Sequence, residues 1–294
     1  MTKYGAIGIF GRANAGKSTL VNLLVGEKVS IISKKPQTTR KRILGILTED
    51  NIQMVFCDTP GLHNIKNKLD KYMEDEIIAT IKGLDAGLYL VDLSDLKPDN
   101  DSEYIAKIKP DKKIPVFLVL NKSDLVDETT INKAKEIYLD LYPFEGVFVI
   151  SAKKKKGHLQ LLNKLKKLMP TGDFAYDAEY YTNQSEREIV EETIREVILH
   201  TFHQEVPHSV AVQIEQFKER ENGKTYIEAT LYVEKEAHKR IIVGKNGESI
   251  KNLGQISRQK LNEMLERDIF LQLWVKVRDN WRHNEQWISR LGYR

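Results

Sequence analysis

A short loop with two glycines, a lysine and a serine is the feature that most constrains the fold of this chain. The loop follows the apolar residues 4–10 and precedes a helical pattern at 17–25. It matches GxxxxGK[ST] and consists of Gly11, Arg12, Ala13, Asn14, Ala15, Gly16, Lys17 and Ser18. Glycines let backbone amides approach a phosphate chain, and the amides at a helix N-terminus attract its negative charge. The sequence therefore predicts a phosphate-binding loop, with Thr19 directly behind it.

Apolar runs and helical patterns alternate along the first 170 residues. Residues 88–91 and 116–120 are apolar at every position, which is typical of strands buried on both faces of a parallel sheet. Strands are predicted at 4–10, 43–47, 52–57, 87–93, 114–120 and 147–150, and helices at 17–25, 71–81, 101–109, 130–141 and 158–168. This order predicts an α/β domain with a mostly parallel sheet, whose ligands bind at the carboxyl ends of the strands.

The pattern changes after Pro170, and a chain of 294 residues favours two domains. We expect the first domain at 1–170, a linker at 171–180 and a second domain at 181–294 that ends in a helix. In the second domain Ser185 is the expected N-cap of a helix. The other predicted elements are strands at 178–182, 210–214, 226–233 and 269–277, a hairpin turn at 221–224, and helices at 236–243, 249–265 and 284–291.

Two further motifs supply groups for a phosphate site with a metal ion. Lys17 is placed to contact the β and γ phosphates, and Ser18 to bind Mg²⁺. Asp58 ends an apolar strand and can hold Mg²⁺ through water. Segments tethered by a γ phosphate relax after hydrolysis, so we interpret both motifs as switches. The first switch is Gln37, Thr38, Thr39 and Arg40, and the second is Asp58, Thr59, Pro60, Gly61 and Leu62.

Two short segments, which follow the predicted strands at 114–120 and 147–150, indicate that the ligand contains guanine. Asn121, Lys122 and Asp124 follow the buried strand at 116–120. A carboxylate there can accept hydrogen bonds from guanine N1–H and the 2-amino group, which adenine lacks. A backbone amide of Ser151, Ala152 or Lys153 can reach the guanine oxygen. The sequence therefore predicts GTP rather than ATP as the ligand.

Taken in order, these motifs resemble the translation-factor-related class of P-loop GTPases. The loop at 11–18, the segment 36–40 and the segment 58–63 together resemble the Era family of bacterial ribosome-assembly GTPases. The resemblance covers essentially the whole chain. It implies that the protein hydrolyses GTP to GDP with Mg²⁺, and that Thr39 rather than Thr38 is the Mg²⁺ ligand.

The position that carries a water-orienting glutamine in Ras-type enzymes is Leu62 here, and leucine cannot hydrogen-bond water. The neighbouring His63 is equally well explained as a surface loop residue. The resemblance implies a class of GTPases with a hydrophobic residue at this position. Several members of that class use K⁺, held partly by an asparagine of the phosphate loop, and the corresponding residue in this sequence is Asn14. We expect slow intrinsic hydrolysis that K⁺ or a bound partner accelerates.

A second glycine-flanked turn lies between two apolar helical segments near the C-terminus. A pattern of this kind is often only a helix–helix turn, but the order α-β-β-α-α-β around it resembles an α+β type II KH domain, an RNA-binding module. Its expected RNA contacts are Arg240, Ile241, Ile242, Gly244, Lys245, Asn246, Gly247, Ser249, Ile250 and Lys251. The resemblance implies that the target is the 3′ region of 16S rRNA in the 30S subunit, and no DNA is expected.

Charge is unevenly distributed, although the net charge is only +4. Residues 240–294 hold 11 basic and 6 acidic side chains, whereas residues 175–239 hold 7 and 14. The basic segment also contains Trp274, Trp281 and Trp287, and arginines with aromatic rings suit base stacking. Alternation along the strand nevertheless favours Trp274 as a core residue.

The lone cysteine and the lack of a long apolar run bear on the compartment. Cys57 allows no intrachain disulfide, and no run approaches the ~20 apolar residues that span a bilayer. We expect a cytoplasmic protein, with Cys57 as a buried residue at a strand end. A peripheral association with the inner face of the membrane through the lysines at 153–156 is the weaker alternative.

Two rival functions fit parts of the sequence. A P-loop ATPase or kinase would share the first loop but not the guanine motif, so the variant Asp124→Asn and a comparison of GTP with ATP binding decide between the two. A membrane-associated regulator with a KH-shaped protein-binding module would share the fold. RNA crosslinking centred on 241–251 separates the two, and the absence of any crosslink would favour this rival. The favoured hypothesis is a GTPase in which GTP promotes RNA binding and hydrolysis releases the RNA, so RNA must in turn alter nucleotide preference.

Overall fold

The computed structural model describes residues 1–108, 114–220 and 223–293. The described chain divides into two units. The first comprises the described parts of Met1–Asn64 and Met73–Asn183, and the second comprises Ile65–Tyr72 and the chain from Gln184 onwards.

The first unit contains a six-stranded sheet with strand order β2-β3-β1-β4-β5-β6. Among the described strands of this sheet, β2 runs antiparallel to β3 and the other four pairings are parallel, which confirms the predicted α/β fold. The strands are β1 (Lys3–Gly11), β2 (Ile43–Glu49), β3 (Ile52–Asp58), β4 (Ala86–Asp92), β5 (Val116–Asn121) and β6 (Gly146–Val149). The helices in this part of the chain are α1 (Lys17–Val25), α2 (Lys68–Ile81), α3 (Pro98–Lys107), α4 (Glu128–Leu141) and α5 (His158–Leu168). The predicted end of α3 at Lys109 lies outside the described residues.

Two apolar clusters cover the two faces of this sheet, which explains why its central strands are apolar at every position. In β4, Leu88 and Leu90 belong to one cluster, which α1 and α5 complete. The alternate residues Tyr89 and Val91 belong to the other, which receives side chains of α2, α3 and α4. Cys57 lies buried in this second cluster at the end of β3, as predicted, and burial raises the pKa of its thiol to about 11.

The predicted strand at 178–182 is wrong. In place of a strand, this segment forms an isolated bridge between Thr182 and Gly45 of β2, and the Ile46 N–H donates to Tyr181 O at 2.9 Å. A strand of this sheet would bury alternate side chains, but Tyr180 and Tyr181 are both about half exposed. The segment before them is held instead by the buried side chain of Gln53, which bonds to the backbone of residues 175 and 176.

The second unit has the predicted order α-β-β-α-α-β. Its elements are α6 (Glu186–Thr201), β7 (Ala211–Glu219), β8 (Thr225–Val233), α7 (Glu236–Val243), α8 (Glu248–Leu265), β9 (Ile269–Val277) and α9 (Glu285–Arg290). In the sheet β7-β8-β9, the first pair is antiparallel and the second parallel. One face of this sheet packs against α6, α7 and α8. The predicted hairpin turn falls partly on residues 221 and 222, which lie outside the described residues, and Gly223 N–H donates to Arg220 O over 2.9 Å.

Helix α6 begins where the capping signal predicted. Ser185 Oγ accepts from the Glu188 N–H, and the Glu188 carboxylate accepts from the Ser185 N–H at 2.9 Å. This reciprocal pair satisfies two backbone donors at the helix start and is worth about 1 kcal/mol. The helix therefore starts at a defined residue, and its apolar side, including Val190 and Ile194, faces the sheet.

The tryptophans of the C-terminal segment occupy different environments. Trp281 is fully buried, and its Nε1–H donates to Ser209 O at 2.8 Å. Trp274 is 48% exposed, so the expectation that it belongs to the core is wrong. Alternation along β9 was correctly inferred, but it does not specify which side of the strand faces the helices.

Replacing Trp281 with alanine is expected to destabilise the second unit by about 3–5 kcal/mol, because the cavity left by a large buried ring cannot fully collapse. Urea unfolding of the full chain, followed by circular dichroism, measures this loss. Trp274→Ala is the matched control and should change stability by about 0.5 kcal/mol or less. Equal losses for the two variants would contradict the assignment of Trp281 to the core.

Candidate nucleotide site and nucleic-acid interface

The loop between β1 and α1 has a backbone conformation that requires glycine at both ends. Gly11 and Gly16 have φ of 139° and 100°. A Cβ at Gly16 would lie 2.3 Å from Asn121 Nδ2, and one at Gly11 would lie 2.4 Å from Leu90 O. Asn14, at φ 65°, is a residue type that tolerates the left-handed region. The loop is therefore folded into a tight turn at the carboxyl end of β1.

Lys17 lies across this loop. Its Nζ donates to Gly11 O and to Arg12 O, each at 3.0 Å, and its side chain is buried. Burial lowers the pKa of Lys17 to about 8, although the nearby Asp58 opposes the shift. Anionic phosphate oxygens bound in the loop would compensate for this loss of hydration.

A buried carboxylate anchors the loop from the opposite side. Arg12 Nε donates to both oxygens of Asp101, at 3.2 and 3.3 Å. Asp101 is 1% exposed and also accepts hydrogen bonds from the hydroxyls of Tyr89 and Tyr138. Burial and this carboxylate raise the pKa of both tyrosines, which therefore remain donors. Sequence reasoning missed this anchor because Asp101 belongs to no motif.

The hydroxyls of Ser18 and Thr39 meet beside the loop, with 3.0 Å between Ser18 Oγ and Thr39 Oγ1. Thr38 points elsewhere, since its hydroxyl donates to Lys35 O at 2.6 Å. Thr39 is therefore the threonine of this pair whose hydroxyl shares a site with Ser18. That this hydroxyl binds Mg²⁺, as the family resemblance implies, stays a prediction.

Asp58 completes a cluster of oxygen donors suited to Mg²⁺. The side chain is fully buried, and neither carboxylate oxygen accepts a hydrogen bond of normal geometry from the described residues. Burial raises the pKa of Asp58, while the hydroxyls of Ser18, Ser30 and Thr39 and the charge of Lys17 oppose the shift. A buried carboxylate that lacks a full set of hydrogen-bond donors is well suited to hold a hydrated cation.

The second switch packs directly against the phosphate loop. A Cβ at Gly61 would lie 2.6 Å from Ala13 Cα, so only glycine fits this approach. The Leu62 N–H donates to Gly11 O at 3.3 Å, while its side chain is buried in the apolar cluster on one face of the sheet. His63 is half-buried, with Nδ1 2.7 Å from Gly61 O. The leucine side chain therefore faces the core, not the phosphate loop.

The other residues predicted for the phosphate site lie in or beside it with different exposure. Thr59 donates its hydroxyl to Ile9 O at 2.6 Å, and this bond fixes the start of the second switch. Asn14 is exposed; Arg12, Ala13, Gly16, Ser18, Thr19, Gln37 and Thr38 are half-buried; Gly11, Ala15, Arg40, Thr59, Pro60 and Gly61 are buried.

Asn121 joins two loops of the site. It ends β5 and is buried, with Nδ2 donating to Ala15 O at 2.8 Å and Oδ1 accepting from Ala152 N at 3.0 Å. The amide thus ties the phosphate loop to the segment after β6. Sequence reasoning had assigned it to the base alone and missed this connection.

Asp124 stands at the exposed edge of the site. Its Oδ1 accepts from Ser151 Oγ at 2.5 Å, and this hydrogen bond lowers the pKa of the carboxyl. The group is therefore charged at neutral pH and able to accept from a guanine base. Lys122, at φ 64°, pairs with Asp92 at the end of β4, and Lys153 is exposed.

The turn between α7 and α8 also requires glycine. Gly244 has φ 72°, and a Cβ there would lie 2.5 Å from Ser249 Cβ. Asn246 and Gly247 follow at φ 52° and 79°, and nothing lies within 4 Å of the position a Gly247 Cβ would take. The far side of the turn is therefore open to a ligand backbone.

The residues predicted to contact RNA do not all face solvent. Ile242 is fully buried in the apolar core, so its side chain supports the fold and does not form part of the surface. Ile241, one position earlier, is 50% exposed. Arg240, Lys245, Asn246 and Lys251 are exposed, and Gly244, Gly247, Ser249 and Ile250 are half-buried.

Both units match families of known proteins. A family model described as 50S ribosome-binding GTPase matches residues 6–122, and one described as KH domain matches residues 205–282. The GTPase Era of Clostridium beijerinckii is 44% identical over 294 residues, which cover 100% of this chain and 98% of the relative. The chain belongs to the Era family of GTPases.

Solved Era structures extend the match to the fold. A crystal structure of Era in complex with MgGDPNP and nucleotides 1506–1542 of 16S ribosomal RNA has a TM-score of 0.95 and 32% identity, covering 100% of this chain and 99% of the other. A single-residue variant of Aquifex aeolicus Era bound to GDP·AlF4⁻ has a TM-score of 0.94 and 33% identity, covering 99% of each chain. The chain therefore shares its fold, an α/β domain followed by a KH domain, with these two Era structures over nearly its whole length.

Proposed function

We propose that this Era-family protein is a GTP-driven switch that binds 16S rRNA through its KH domain and acts in 30S subunit assembly in the cytoplasm. The observation that carries the proposal is the full-length match to Era solved with MgGDPNP and 16S rRNA nucleotides. The site geometry supports it, because a phosphate loop, a guanine-selective carboxylate and an open glycine turn occur in one chain.

The nucleotide part of the proposal assigns roles to the polar groups of the site. The backbone amides of the loop and Lys17 bind the phosphates. Ser18 and Thr39 hold Mg²⁺ directly, and Asp58 holds it through water. When bound, the ion neutralises charge on the β and γ phosphates. Asp124 accepts from guanine, and the Asn121 amide keeps the phosphate loop and the base loop at a fixed separation.

Hydrolysis needs a group other than the side chain of Leu62 to orient water. That side chain is buried, so the residue next to Gly61 contributes only its backbone. Asn14 is exposed at the tip of the phosphate loop and carries an amide oxygen that can bind a monovalent cation. We assign Asn14 this role, in which K⁺ supplies positive charge close to the phosphates.

GTP turnover is expected to be several-fold faster in K⁺ than in Na⁺ buffer, and Asn14→Ala should remove the difference. Phosphate release at equal ionic strength measures both effects. Asn51→Ala is the control, because Asn51 is an exposed residue that hydrogen-bonds the start of β1, at the opposite end of the strand from the loop. Identical rates in the two buffers, unchanged by Asn14→Ala, would rule out the cation role.

The small subunit is favoured over the 50S subunit for a specific reason. The family model whose description names the 50S ribosome covers only residues 6–122, within the GTPase part. The RNA-binding part lies at residues 205–282. The structural relative that spans both parts carries 16S rRNA nucleotides. The RNA target is therefore inferred from the match that includes the KH domain.

Crosslinking and sequencing of RNA bound to the full chain tests this proposal. With a GTP analogue, we expect reads near the 3′ end of 16S rRNA and crosslinked peptides within residues 241–251. With GDP, we expect fewer reads at the same site. Crosslinks that are absent, or spread over 23S rRNA with no peptide from this turn, would overturn the proposal.

A membrane surface is the less favoured partner. Four consecutive exposed lysines at 153–156 would attract anionic lipid. Within the parts of the chain that the structure describes, no helix combines the length and the apolar character needed to cross a bilayer. Binding to vesicles with and without anionic lipid tests this alternative separately from RNA binding.

A further inference from the structure

The sheet of the second unit has a face that points away from α6, α7 and α8. Along β8, Ile227 and Leu231 belong to the core under those helices, so Tyr226 and Tyr232 lie on the opposite face. The register of β8 with β9 pairs Tyr226 with Phe270 and Thr230 with Trp274. We call this surface the outer KH face, defined by Arg220, Tyr226, Phe270, Trp274, Arg278 and Trp287.

One end of the outer KH face carries a stack of two rings and a guanidinium. Tyr226 and Phe270 have centroids 5.8 Å apart and planes inclined by only 18°. The Arg220 guanidinium carbon lies 4.4 Å from the Tyr226 centroid and 5.2 Å from that of Phe270. Phe270 is still 48% exposed, so a planar ligand group has access to its ring.

The other end repeats this chemistry around Trp287. The guanidinium carbons of Arg278 and Arg290 each lie 4.9 Å from its ring centroid, and the centroid of Tyr232 lies 5.3 Å away. Trp274 belongs to the same face, on β9, and is 48% exposed. Two arginine–aromatic clusters are therefore present on one surface, with an open indole on the strand that leads from one to the other.

The charges of this surface favour an anionic partner. Within residues 114–220 and 223–293, none of the arginines at 220, 278 and 290 forms an ion pair with a carboxylate. The carboxylates of Glu228 and Glu215 also lie near this surface, where they accept hydrogen bonds from the Tyr226 hydroxyl at 3.0 Å and the Tyr232 hydroxyl at 3.2 Å. Guanidinium groups placed beside exposed rings complement a chain that alternates phosphates with planar bases.

We propose that the outer KH face is a second binding surface for single-stranded RNA, which continues the strand held at the Gly244–Gly247 turn. The inference rests on the proposed RNA-binding function. A KH turn clamps about four nucleotides, so a longer RNA has further nucleotides to place. Strand β9 is an edge of the sheet and borders both faces, so RNA can pass around it from one face to the other. Bases stack on Trp274 and Phe270, and the arginines contact phosphates.

Fluorescence anisotropy with RNA of nucleotides 1506–1542 of 16S rRNA tests the inference. The variant Trp274→Ala/Arg278→Ala/Arg290→Ala should bind at least about fivefold more weakly, since one stacked base alone contributes this much. Its affinity should also depend less on salt, with a log–log slope smaller by about 0.7 for each phosphate that the variant no longer neutralises. Trp274→Phe, which keeps a ring for stacking, should bind like the wild type.

Arg187→Ala is the matched control. Arg187 is exposed and lies 5.9 Å from the ring of Phe217, but that ring packs on the helix side of the sheet. The variant removes one positive charge and one guanidinium–ring interaction and should leave RNA binding unchanged. Thermal unfolding of every variant shows whether its fold persists. If the triple variant does not fold, the single variant Trp274→Ala replaces it, because Trp274 is half exposed and its loss should not unfold the protein.

The variant Lys245→Asp, in the Gly244–Gly247 turn, distinguishes a failure of the outer-face proposal from a failure of the proposed RNA-binding function. If the wild type binds the RNA and Lys245→Asp weakens binding while the triple variant does not, the outer face binds no RNA and the inference is overturned. A surface that serves a protein partner would give this same result. If neither the wild type nor Lys245→Asp binds the RNA, the proposed function itself fails.

Discussion

Replacing Asp124 with asparagine is expected to reduce the preference for GTP over ATP at least about 100-fold. A site that hydrogen-bonds polar groups of its ligand discriminates strongly against a ligand without them, and here that discrimination depends on the charged Asp124 carboxylate. The carboxylate is charged at neutral pH, since the hydrogen bond from Ser151 lowers its pKa. Asparagine keeps an oxygen for Ser151 but loses the charge that accepts from guanine N1–H and the 2-amino group. Competition binding of GDP and ADP against a fluorescent guanine nucleotide measures the change.

Asp127→Asn is the matched control for this experiment. Asp127 lies three residues further along, caps α4 through Thr130 N–H at 2.8 Å and is exposed. Asparagine is also a good N-cap, so both the helix and the nucleotide preference should persist. If Asp124→Asn kept the full preference for guanine, or if both variants lost it equally, the assignment of the base site would be wrong.

Replacing Lys17 with alanine is expected to lower the rate of GTP hydrolysis at least about 100-fold, comparable to removing one preorganised donor from a charged transition state. The Lys17 ammonium is held across the phosphate loop by two carbonyl oxygens at 3.0 Å, so it is in position before the nucleotide arrives. Single-turnover phosphate release at saturating GTP measures the chemical step without the contribution of nucleotide affinity.

Lys82→Ala provides the comparison for Lys17→Ala. Lys82 is an exposed lysine that follows α2, and its loss should leave hydrolysis unchanged. Circular dichroism of both variants establishes that the fold persists. A folded Lys17→Ala variant that hydrolyses GTP at the wild-type rate would contradict the proposed phosphate site.

Element boundaries were predicted well where glycine, proline or a long apolar run marked them. Helices α1, α5 and α7 and strand β9 have the predicted ends. Their limits are local properties, such as a glycine before α1 and a proline shortly after α5. The strand predicted at 178–182 failed because pairing requires a neighbouring strand in register, and a short stretch of polar and aromatic residues does not reveal one.

The phosphate-binding and base-binding motifs lie close together, as the sequence predicted. The hydrogen bonds that hold these motifs in place were not predicted. Arg12 and Asp101 are 89 residues apart, and no pattern links them before the chain folds. Asn121 was recognised, yet its bond to Ala15 depends on how β5 lies relative to the phosphate loop. Such tertiary contacts follow from the topology of the sheet and carry no local signal.

The orientation of alternating side chains was the other limit. The period of β9 was correct, but the period alone does not specify which face the helices cover. Trp274 was therefore placed in the core and lies 48% exposed. The same ambiguity hid the outer KH face, whose aromatic residues come from two strands and the C-terminal segment.

The most direct test of the account is the affinity of the full chain for RNA of nucleotides 1506–1542 of 16S rRNA in the presence of GDPNP and of GDP. If GTP promotes RNA binding, the RNA binds more tightly with GDPNP, and by linkage it raises the affinity for GDPNP over GDP by the same factor. Equal RNA affinity in the two nucleotide states would contradict a GTP-driven RNA-binding switch.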